Sequence, residues 1–336
     1  MAEPISPPRV VLLTDPAMGE HAAPGHPERP ERLAAVADGV ADGAAAGAAD
    51  LVRATPFPAS DEQLHRIHPT WHTDRLDEIA HAGGGWLDPD TYVGRHSMVA
   101  ARLAAGATMQ AARAVTDEGA AVAFAVVRPP GHHASQERPG GFCLVNNVAL
   151  AVAELRASGL AQRIAVLDWD VHHGDGTQAI FDEDPDLFYA STHQSPLYPG
   201  SGDAAERGSG AAVGTKHNVP LPPGAGDEAF TRAWLDELLP AAATFRPQAV
   251  LVSAGFDAHR DDPLAHLAVT EDGYRTVAAA IGRLAAELGL GGVALTLEGG
   301  YDLPALRRSV AATVEGLLEG LRQHDPERGA VGDPDR

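Results

Sequence analysis

Six short apolar runs alternate with long segments of helical periodicity, and this alternation limits the folds open to the chain. The runs cover residues 9–14, 121–127, 163–168, 187–191, 249–254 and 292–297. Apolar positions recur at helical spacing over residues 97–115, 147–158, 227–245, 271–288 and 305–321, and we predict Thr270 and Asp227 as N-caps. Strands that alternate with helices predict an α/β domain, in which a parallel sheet carries helices on both faces.

Length, composition and charge agree with a single globular domain. Of the 336 residues, 44% are hydrophobic, and the formal net charge is −21. We predict one domain over residues 9–322, between mobile tails at residues 1–8 and 323–336 that are polar and contain proline. The negative charge disfavours a nucleic-acid partner, because phosphates are bound by Lys and Arg.

Other features of the sequence concern the compartment. The single cysteine, Cys143, excludes an internal disulfide and suits a reducing environment. The sequence does not open with a basic region followed by a long apolar stretch, so we expect no signal peptide. No run reaches the ~18 apolar residues that a membrane span needs. We therefore predict a cytoplasmic protein without a membrane partner.

Polar clusters follow four of the predicted strands. They read "RPPGHHASQERPGGFC", "DWDVHHGDGT", "GFDAHRDDPL" and "EGGYDLP". In open parallel sheets, ligands bind at the carboxyl ends of the strands. We therefore expect these four clusters to form one site.

The pattern Asp-x-His at Asp170 and His172 suits a metal ion. Residues two apart on an extended backbone point to the same side, so both side chains can reach one ion. Asp257, after another strand, is the natural third ligand. Three protein ligands leave one position for water, as in catalytic zinc sites, and the oxygen-rich set would also accept Fe²⁺ or Co²⁺.

Proton transfer and charge stabilisation have candidates in the same clusters. His132 and His133 are adjacent imidazoles that can divide the roles of base and acid, and Asp168 and Asp175 are carboxylates that can fix their tautomers. Tyr301 follows two glycines, which allow a tight turn that presents the phenol to a cavity. A phenol donor can stabilise the oxyanion that forms when water attacks a carbonyl.

Taken together, the motifs resemble one known family. "RPPGHHA", "GFC", "DWDVHHGDGT", "SAGFDAHRDDPL" and "LEGGY", in this order, resemble the zinc-dependent histone deacetylase and acetylpolyamine amidohydrolase superfamily. The segment "GHPERPERL" resembles its class II branch and the bacterial class II-like members. The likeness extends from about Val10 to Leu321. It implies the arginase/deacetylase fold, a three-layer α/β domain with a mainly parallel sheet of about eight strands.

The resemblance also implies a set of residue roles. Zn²⁺ would be held by Asp170, His172 and Asp257. His133 would act as general base and then as acid, with His132 as its electrostatic partner and Tyr301 polarising the acyl carbonyl. Asp168 would pair with His132, and Asp175 with His133. His173 is interpreted as structural.

Further expectations from the resemblance concern a substrate tunnel and monovalent cations. Gly141, Phe142 and Tyr198 would line the tunnel, with His193 near the same wall and Leu264 at a selectivity position. A structural K⁺ would be bound by the Asp168 side chain, the Ser191 hydroxyl and the carbonyls of Asp168, Asp170, His172 and Thr192. A second cation would be bound by carbonyls around Phe181, Asp184 and Leu187.

Several functions remain open at this point. The main hypothesis is hydrolysis of an acyl-lysine peptide or a small acyl-amine. Leu264 stands where polyamine-selective relatives can carry glutamate, which favours acyl-lysine over acetylpolyamines. Alternatives are an acetylpolyamine amidohydrolase, a lactyl-lysine or longer-acyl deacylase, an arginase-type ureohydrolase with two Mn²⁺ ions, a non-catalytic acyl-lysine-binding protein, and a Cys143 nucleophile paired with His133. The oligomeric state is left open.

Overall fold

The computed structural model describes residues 6–323 and contains a sheet of eight strands, all paired in parallel. Its order is β2-β1-β5-β10-β9-β6-β7-β8. The strands are β1 (Arg9–Leu13), β2 (Asp50–Ala54), β5 (Val122–Ala125), β6 (Ile164–Asp168), β7 (Leu187–Gln194), β8 (Lys216–Leu221), β9 (Ala249–Ala254) and β10 (Val293–Leu297). A separate antiparallel pair consists of β3 (Gly85–Trp86) and β4 (Tyr92–Val93). The predicted tails lie largely outside the described residues.

Helices cover both faces of the sheet, as the predicted three-layer fold requires. They are α1 (Glu31–Ala46), α2 (Asp61–Leu64), α3 (Thr70–His81), α4 (Ser97–Thr116), α5 (Asn147–Ala157), α6 (Asp175–Ile180), α7 (Asp227–Arg232), α8 (Leu239–Phe245), α9 (Glu271–Glu287) and α10 (Leu303–Gln323). Helices α1, α9 and α10 pack together, and α4 packs with α5. No helix among residues 6–323 is long and apolar enough to cross a membrane.

The sequence predicted six of the eight strands and missed β2 and β8, which form the two edges of the sheet. Buried central strands are continuous apolar runs, whereas edge strands carry polar residues and proline. Strand β2 is mostly exposed, and β8 contains both Lys216 and Pro220. The two missed strands therefore lack the apolar signal because of their position in the sheet.

One of the two predicted helix caps is wrong. Thr270 caps α9 by accepting a hydrogen bond from the Asp272 amide. Asp227 is instead the first residue of α7, after Gly226 as N-cap. The carboxylate of Asp227 accepts hydrogen bonds from the amide and hydroxyl of Thr270, at 2.7 and 2.6 Å. This carboxylate therefore joins two helix N-termini and does not cap its own. A single π-helical segment, Ala233–Leu238, connects α7 to α8.

The strand order explains how distant motifs converge. Strands β5, β10, β9 and β6 are consecutive neighbours in the middle of the sheet, and each precedes one of the four polar clusters. Leu297 pairs with Ala254, and Asp168 pairs with Ser253. Because all strands are parallel, the four clusters meet at the carboxyl-terminal end of the sheet, as predicted.

Candidate active site

Three side chains converge between the ends of β6 and β9. Ligand atoms of Asp170, His172 and Asp257 all lie within 4.8 Å of one another. His172 Nδ1 is 3.1 Å from Asp170 Oδ1 and 3.3 Å from Asp257 Oδ2. Both carboxylates are fully buried. The arrangement has the composition and spacing of a three-ligand metal site.

The environment of this cluster fits a cation. Asp257 Oδ2 is buried and has no hydrogen-bond partner among the described residues, although its second oxygen accepts from the Val171 amide at 2.9 Å. Burial and the Asp170 carboxylate raise the pKa of Asp257. Two buried carboxylates side by side are costly without compensating positive charge, and at Asp257 the described residues offer only the imidazole of His172, 3.3 Å from Oδ2. A metal ion bound by the three side chains would supply that charge.

Glycines allow the carboxylates to approach the backbone. A Cβ atom on Gly299 would lie 1.9 Å from Asp257 Oδ2, and one on Gly255 would lie 2.0 Å from Asp170 Oδ2. The Gly299 amide donates to Asp170 Oδ2 at 2.8 Å. The glycine after β9 and the first glycine of "GGY" therefore pack directly against the Asp170–His172–Asp257 cluster.

Each of the adjacent histidines has its own carboxylate. His132 Nδ1 lies 3.0 Å from Asp168 Oδ2, and His133 Nδ1 lies 2.7 Å from Asp175 Oδ1. The two rings are 4.0 Å apart, between centroids. Both Nδ1 atoms are thus engaged, so each Nε2 remains for chemistry. His132 Nε2 is 3.8 Å from Asp170 Oδ1.

The two imidazoles have opposite pKa shifts. Burial lowers the pKa of His132, but the carboxylates of Asp168 and Asp170 outweigh this and raise it well above its ordinary value. Burial and the nearby His132 lower the pKa of His133 to about 3, against the influence of Asp175. A neighbouring pair with separated pKa values is the usual arrangement for dividing acid and base roles. His133 is the neutral member, which can accept a proton.

Tyr301 lies at the same carboxyl-terminal end of the sheet, after a turn that Gly299 and Gly300 make possible. Gly300 has φ 115°, a conformation that side chains rarely adopt, and the Tyr301 amide donates to Asp262 Oδ2 at 2.8 Å. The ring packs edge-on against Phe142 at 5.9 Å. Burial and the Asp257 carboxylate raise the pKa of the phenol well above its usual value. Tyr301 therefore keeps its proton and can act as a hydrogen-bond donor.

Glu298, which sequence analysis did not assign, links two of the motifs. Its Oε2 accepts hydrogen bonds from the Gly131 and His132 amides at 2.7 and 3.2 Å, and Oε1 accepts from the Ser253 hydroxyl at 3.0 Å. The side chain is fully buried, and burial raises its pKa to about 7. A charged residue directly after a buried strand was the signal for this role.

A second buried group of charges lies behind Tyr301. Glu28 bonds both Arg32 and Arg128, with Oε1 3.0 Å from Arg32 Nη1 and Oε2 2.7 Å from Arg128 Nη2. All three residues are at most 2% exposed. Arg32 also donates to the carbonyls of Glu298 and Gly300. The "GHPERPERL" segment therefore supports the turn that carries Tyr301, a role that requires contacts between residues far apart in sequence.

A cavity of about 260 Å³ is lined by several of these groups. Four of the five predicted tunnel residues line it, and the fifth, His193, does not. The lining residues are Asp90, Pro130, His132, His133, Gly141, Phe142, His172, Leu197, Tyr198, Leu264, Gly299 and Tyr301. Gly141 and Phe142 both have positive φ, 51° and 69°, and a Cβ on Gly141 would lie 2.4 Å from the His133 ring. The strained backbone at this position brings the wall close to His133.

The expected position of His193 near the tunnel wall needs correction. His193 is 1% exposed, and its ring nitrogens bond the Ser191 hydroxyl and the Gly202 carbonyl, both at 2.9 Å. It lies behind His173, with ring centroids 4.9 Å apart. His173 in turn bonds Ser201 and Gln178. Both histidines belong to a buried polar network that includes Ser191, Ser201 and Gln178.

The two expected cation sites differ in the structure. Asp168 and Ser191 are paired residues on β6 and β7, so the two side chains expected to bind the first K⁺ lie on adjacent strands. The second set does not fit a metal cation. The ammonium of Lys216 donates to the carbonyls of Asp184 and Leu187 at 3.2 and 2.9 Å. The expectation of a bound ion there is corrected accordingly.

Two alternatives are disfavoured by the geometry. Cys143 is fully buried, does not line the cavity, and its thiol has a pKa raised by burial. It is therefore poorly suited to act as a nucleophile. Within residues 6–323, the Asp170, His172 and Asp257 group is the one cluster with metal-ligand geometry. A binuclear ureohydrolase would need additional bridging ligands.

A parallel sheet that carries this cluster, two His–Asp pairs and a phenol beside one cavity has the architecture of a deacetylase or amidohydrolase. The histone deacetylase domain model matches residues 26–317, and the chain belongs to this family. It is 40% identical to a probable deacetylase of Methanothermobacter thermautotrophicus, over 96% of this chain and 94% of the relative. It is 39% identical to a histone deacetylase-like amidohydrolase of Pseudomonas aeruginosa, over 92% and 82%. The crystal structure of the HDA15 HD domain superposes with a TM-score of 0.84 at 36% identity, covering 93% of this chain and 90% of that one.

Proposed function

We propose that the protein is a zinc-dependent deacylase that hydrolyses the amide of acetyl-lysine or a related acyl-amine. The observation that carries the proposal is the location of His133, His172 and Tyr301 on one cavity. A base, a metal ligand and an oxyanion donor are thereby directed at the same small volume. These are the groups that amide hydrolysis by activated water requires.

Asp170, His172 and Asp257 would hold the zinc ion. When bound, zinc lowers the pKa of a water molecule and polarises the acyl carbonyl. The buried Asp257 oxygen that accepts no hydrogen bond supports a cation at this point. The buried hydrogen bonds from the Val171 and Gly299 amides fix the orientation of the two carboxylates.

His133 would act as the general base through Nε2, because its Nδ1 is bound to Asp175. It would accept a proton from the attacking water and later donate it to the leaving amine. His132, held by Asp168, would supply positive charge beside the reacting carbon. The low pKa of His133, about 3, supports a neutral ring in the resting enzyme.

Tyr301 would stabilise the tetrahedral oxyanion by donating its phenolic proton in a hydrogen bond. Its raised pKa keeps the phenol protonated. The support from Arg32 and Asp262 orients the ring and the turn. A fixed donor of this kind is effective because it does not have to reorganise during the reaction.

The walls of the cavity suit a linear acyl-amine. Phe142 and Tyr198 present aromatic surface, and Leu197 and Leu264 add apolar surface. Such walls fit the methylene stem of an acyl-lysine. Asp90 lines the same cavity, and its carboxylate would also suit a cationic chain. An acetylated polyamine therefore remains the second candidate substrate, and longer acyl groups such as lactyl belong to the same chemical class.

A structural K⁺ would lie beside the zinc, bound by Asp168, Asp170, His172, Ser191 and Thr192. The proximity of Asp168 and Ser191 supports this proposal. The domain would span residues 9–322.

The test compares kcat/KM of the zinc-loaded protein on an acetyl-lysine peptide, a longer acyl-lysine peptide and acetylspermidine. Tyr301→Phe is measured beside the wild type, with Tyr92→Phe as a control outside the cavity. We expect Tyr301→Phe to lose about 10²–10³ in kcat while keeping its zinc. Preference for the peptides supports a lysine deacylase, and preference for acetylspermidine assigns the polyamine role. Full turnover by Tyr301→Phe would overturn the mechanism.

A further inference from the structure

Lys216 is the only lysine among the 336 residues, and the other 24 of the 25 Lys and Arg residues are arginines. It begins β8, at an edge of the sheet, yet its side chain is fully buried. Lysine is among the residues least often buried completely. All remaining Lys and Arg positions of the chain are arginines. The one lysine ammonium group therefore lies in the interior.

The ammonium makes three hydrogen bonds. Lys216 Nζ donates to the Leu187 carbonyl at 2.9 Å, the Asp184 carbonyl at 3.2 Å and the Thr215 hydroxyl at 2.7 Å. An ammonium has three donors on one compact centre, so all three are used here. A planar guanidinium directs its donors in a fixed fork and does not match this cradle of oxygens.

The cradle coincides with the expected second cation site. Asp184 and Leu187 supply two of the carbonyls that the family resemblance assigns to a monovalent ion. Those oxygens already accept hydrogen bonds from Nζ. A metal ion at the same point would compete for the same lone pairs and meet the charge of the ammonium. The residues present therefore do not fit a bound metal cation.

We propose that Lys216 replaces the second monovalent cation of the fold with a covalently attached ammonium, so that this site binds no metal ion. The lysine joins β8 to the segment between α6 and β7, at Asp184 and Leu187. Helix α6 begins at Asp175, the partner of His133. The built-in charge thus stabilises the segment that follows a catalytic carboxylate.

The charge is retained near neutral pH. Burial lowers the pKa of Lys216 to about 8, while Asp184 and Asp182 oppose the shift. The geometry, with three acceptors and no second donor at the amine, is that expected of an ammonium. This inference does not depend on the reaction that the active site catalyses.

Two variants separate the charge from the volume of the side chain. Lys216→Ala opens the cradle, and Lys216→Met fills it with a neutral chain. Thermal unfolding is measured in KCl and in choline chloride at equal ionic strength. We expect both variants to lose about 5 °C or more in choline chloride. Only Lys216→Ala should recover in KCl beyond the change seen in wild type, because K⁺ can enter the opened cradle.

Lys216→Met is the matched control, since it keeps every other cation site of the protein. Wild-type stability in Lys216→Met, or equal KCl responses in both variants, would overturn the proposal. Rubidium-soaked crystals of wild type provide a test that needs no variant. We expect no anomalous peak at the carbonyls of Asp184 and Leu187, and a peak there would contradict the built-in cation.

A spectroscopic test also uses the unmodified protein. Because the chain has one lysine, ¹⁵N-lysine labelling gives a single side-chain signal. We expect an ammonium signal that exchanges slowly with water and does not respond to added KCl. Fast exchange, or displacement of the signal by KCl, would show that the amine is not the resident cation.

Discussion

Arg32 Nε donates a hydrogen bond of 2.7 Å to the carbonyl oxygen of Gly300, across 268 positions of sequence. The same guanidinium bonds the Glu298 carbonyl and lies 5.0 Å from the centre of the Tyr301 ring. One arginine from the N-terminal segment thus holds the backbone and the ring of the turn that presents the phenol. The position of Tyr301 depends on this contact as well as on its own glycines.

Arg32→Lys should reduce kcat by about tenfold, because an ammonium cannot reproduce the paired bonds of the guanidinium to two carbonyls. Zinc content should not change, since Arg32 does not contact the metal cluster. Steady-state kinetics and metal analysis measure the two effects. Arg29→Lys, an exposed change in the same segment, is the control. A kcat equal to that of wild type would contradict the positioning role.

Asp257→Asn should abolish zinc binding. It should also remove the electrostatic repulsion between Asp257 and Asp170 that destabilises the metal-free protein. Burial and Asp170 disfavour the Asp257 carboxylate, so the neutral amide relieves repulsion. We expect zinc affinity to fall by more than the about 10–100-fold that loss of an outer contact causes. The metal-free variant should unfold at or above the temperature of metal-free wild type.

The control for this prediction is Asp261→Asn, an exposed acid on the same loop. It should bind zinc normally and show the wild-type loss of Tm on chelation. If Asp257→Asn retained stoichiometric zinc, the assignment of the third ligand would be wrong.

Gly299→Ala tests the close approach of backbone to ligands. The new Cβ would lie 1.9 Å from Asp257 Oδ2 and 2.7 Å from Asp170 Oδ2, so one carboxylate must move. We expect reduced zinc content and little activity at zinc concentrations that saturate wild type. Gly19→Ala is the matched control, because its Cβ would meet nothing nearer than 3.7 Å. Normal zinc binding by Gly299→Ala would show that the cluster tolerates the displacement.

The buried Glu28 carboxylate should make stability fall in acid. Although burial opposes ionisation, Arg128 and Arg32 lower the pKa of Glu28 to about 2, below the usual value of about 4.3. The folded state thus binds this proton less readily than the unfolded state. The stabilisation is complete above about pH 5 and is lost as the pH falls towards 2, by about 3 kcal/mol in all.

Glu28→Gln removes this titration. The free energy of unfolding, measured by urea at pH 7, 5, 4 and 3, should decline less steeply below pH 5 than in wild type. At pH 7 the variant should be less stable by about 3–5 kcal/mol, because two buried arginines lose their carboxylate. Glu31→Gln, at an exposed position nearby, should follow the wild-type curve. Parallel curves for Glu28→Gln and wild type would refute the assignment.

Much of the fold and the grouping of the site were predictable, because parallel strands place distant residues at one edge. The apolar runs before Asp168 and Glu298 marked central strands, and the polar residues after them marked the site. Strand β8 was missed, since an edge strand with Lys216 and Pro220 lacks a continuous apolar pattern. The Arg32 contact with Gly300 was also missed, because a salt-bridged arginine in a loop has the same sequence appearance as a solvated one.

The errors at His193 and at the second cation set have a common origin. Both expectations came from the family pattern, and neither came from a local property of this sequence. His193 is 1% exposed and does not line the cavity. The carbonyls of Asp184 and Leu187 are where expected, but they accept hydrogen bonds from the Lys216 side chain on the neighbouring strand β8. Every residue has a backbone carbonyl, so the sequence does not indicate which group binds these oxygens. Only the three-dimensional structure identifies it.

The burial of the single lysine also bears on the protein's own chemical modification. Reactive acyl donors in a cell modify exposed lysine amines, and the single lysine of the sequence is fully buried. Arginine keeps its charge and is not a target for such acylation. A member of a deacetylase family with this composition presents no surface lysine to acquire the mark that its relatives are named for removing. Lysine acylation therefore has no exposed target through which to change the surface charge of this protein.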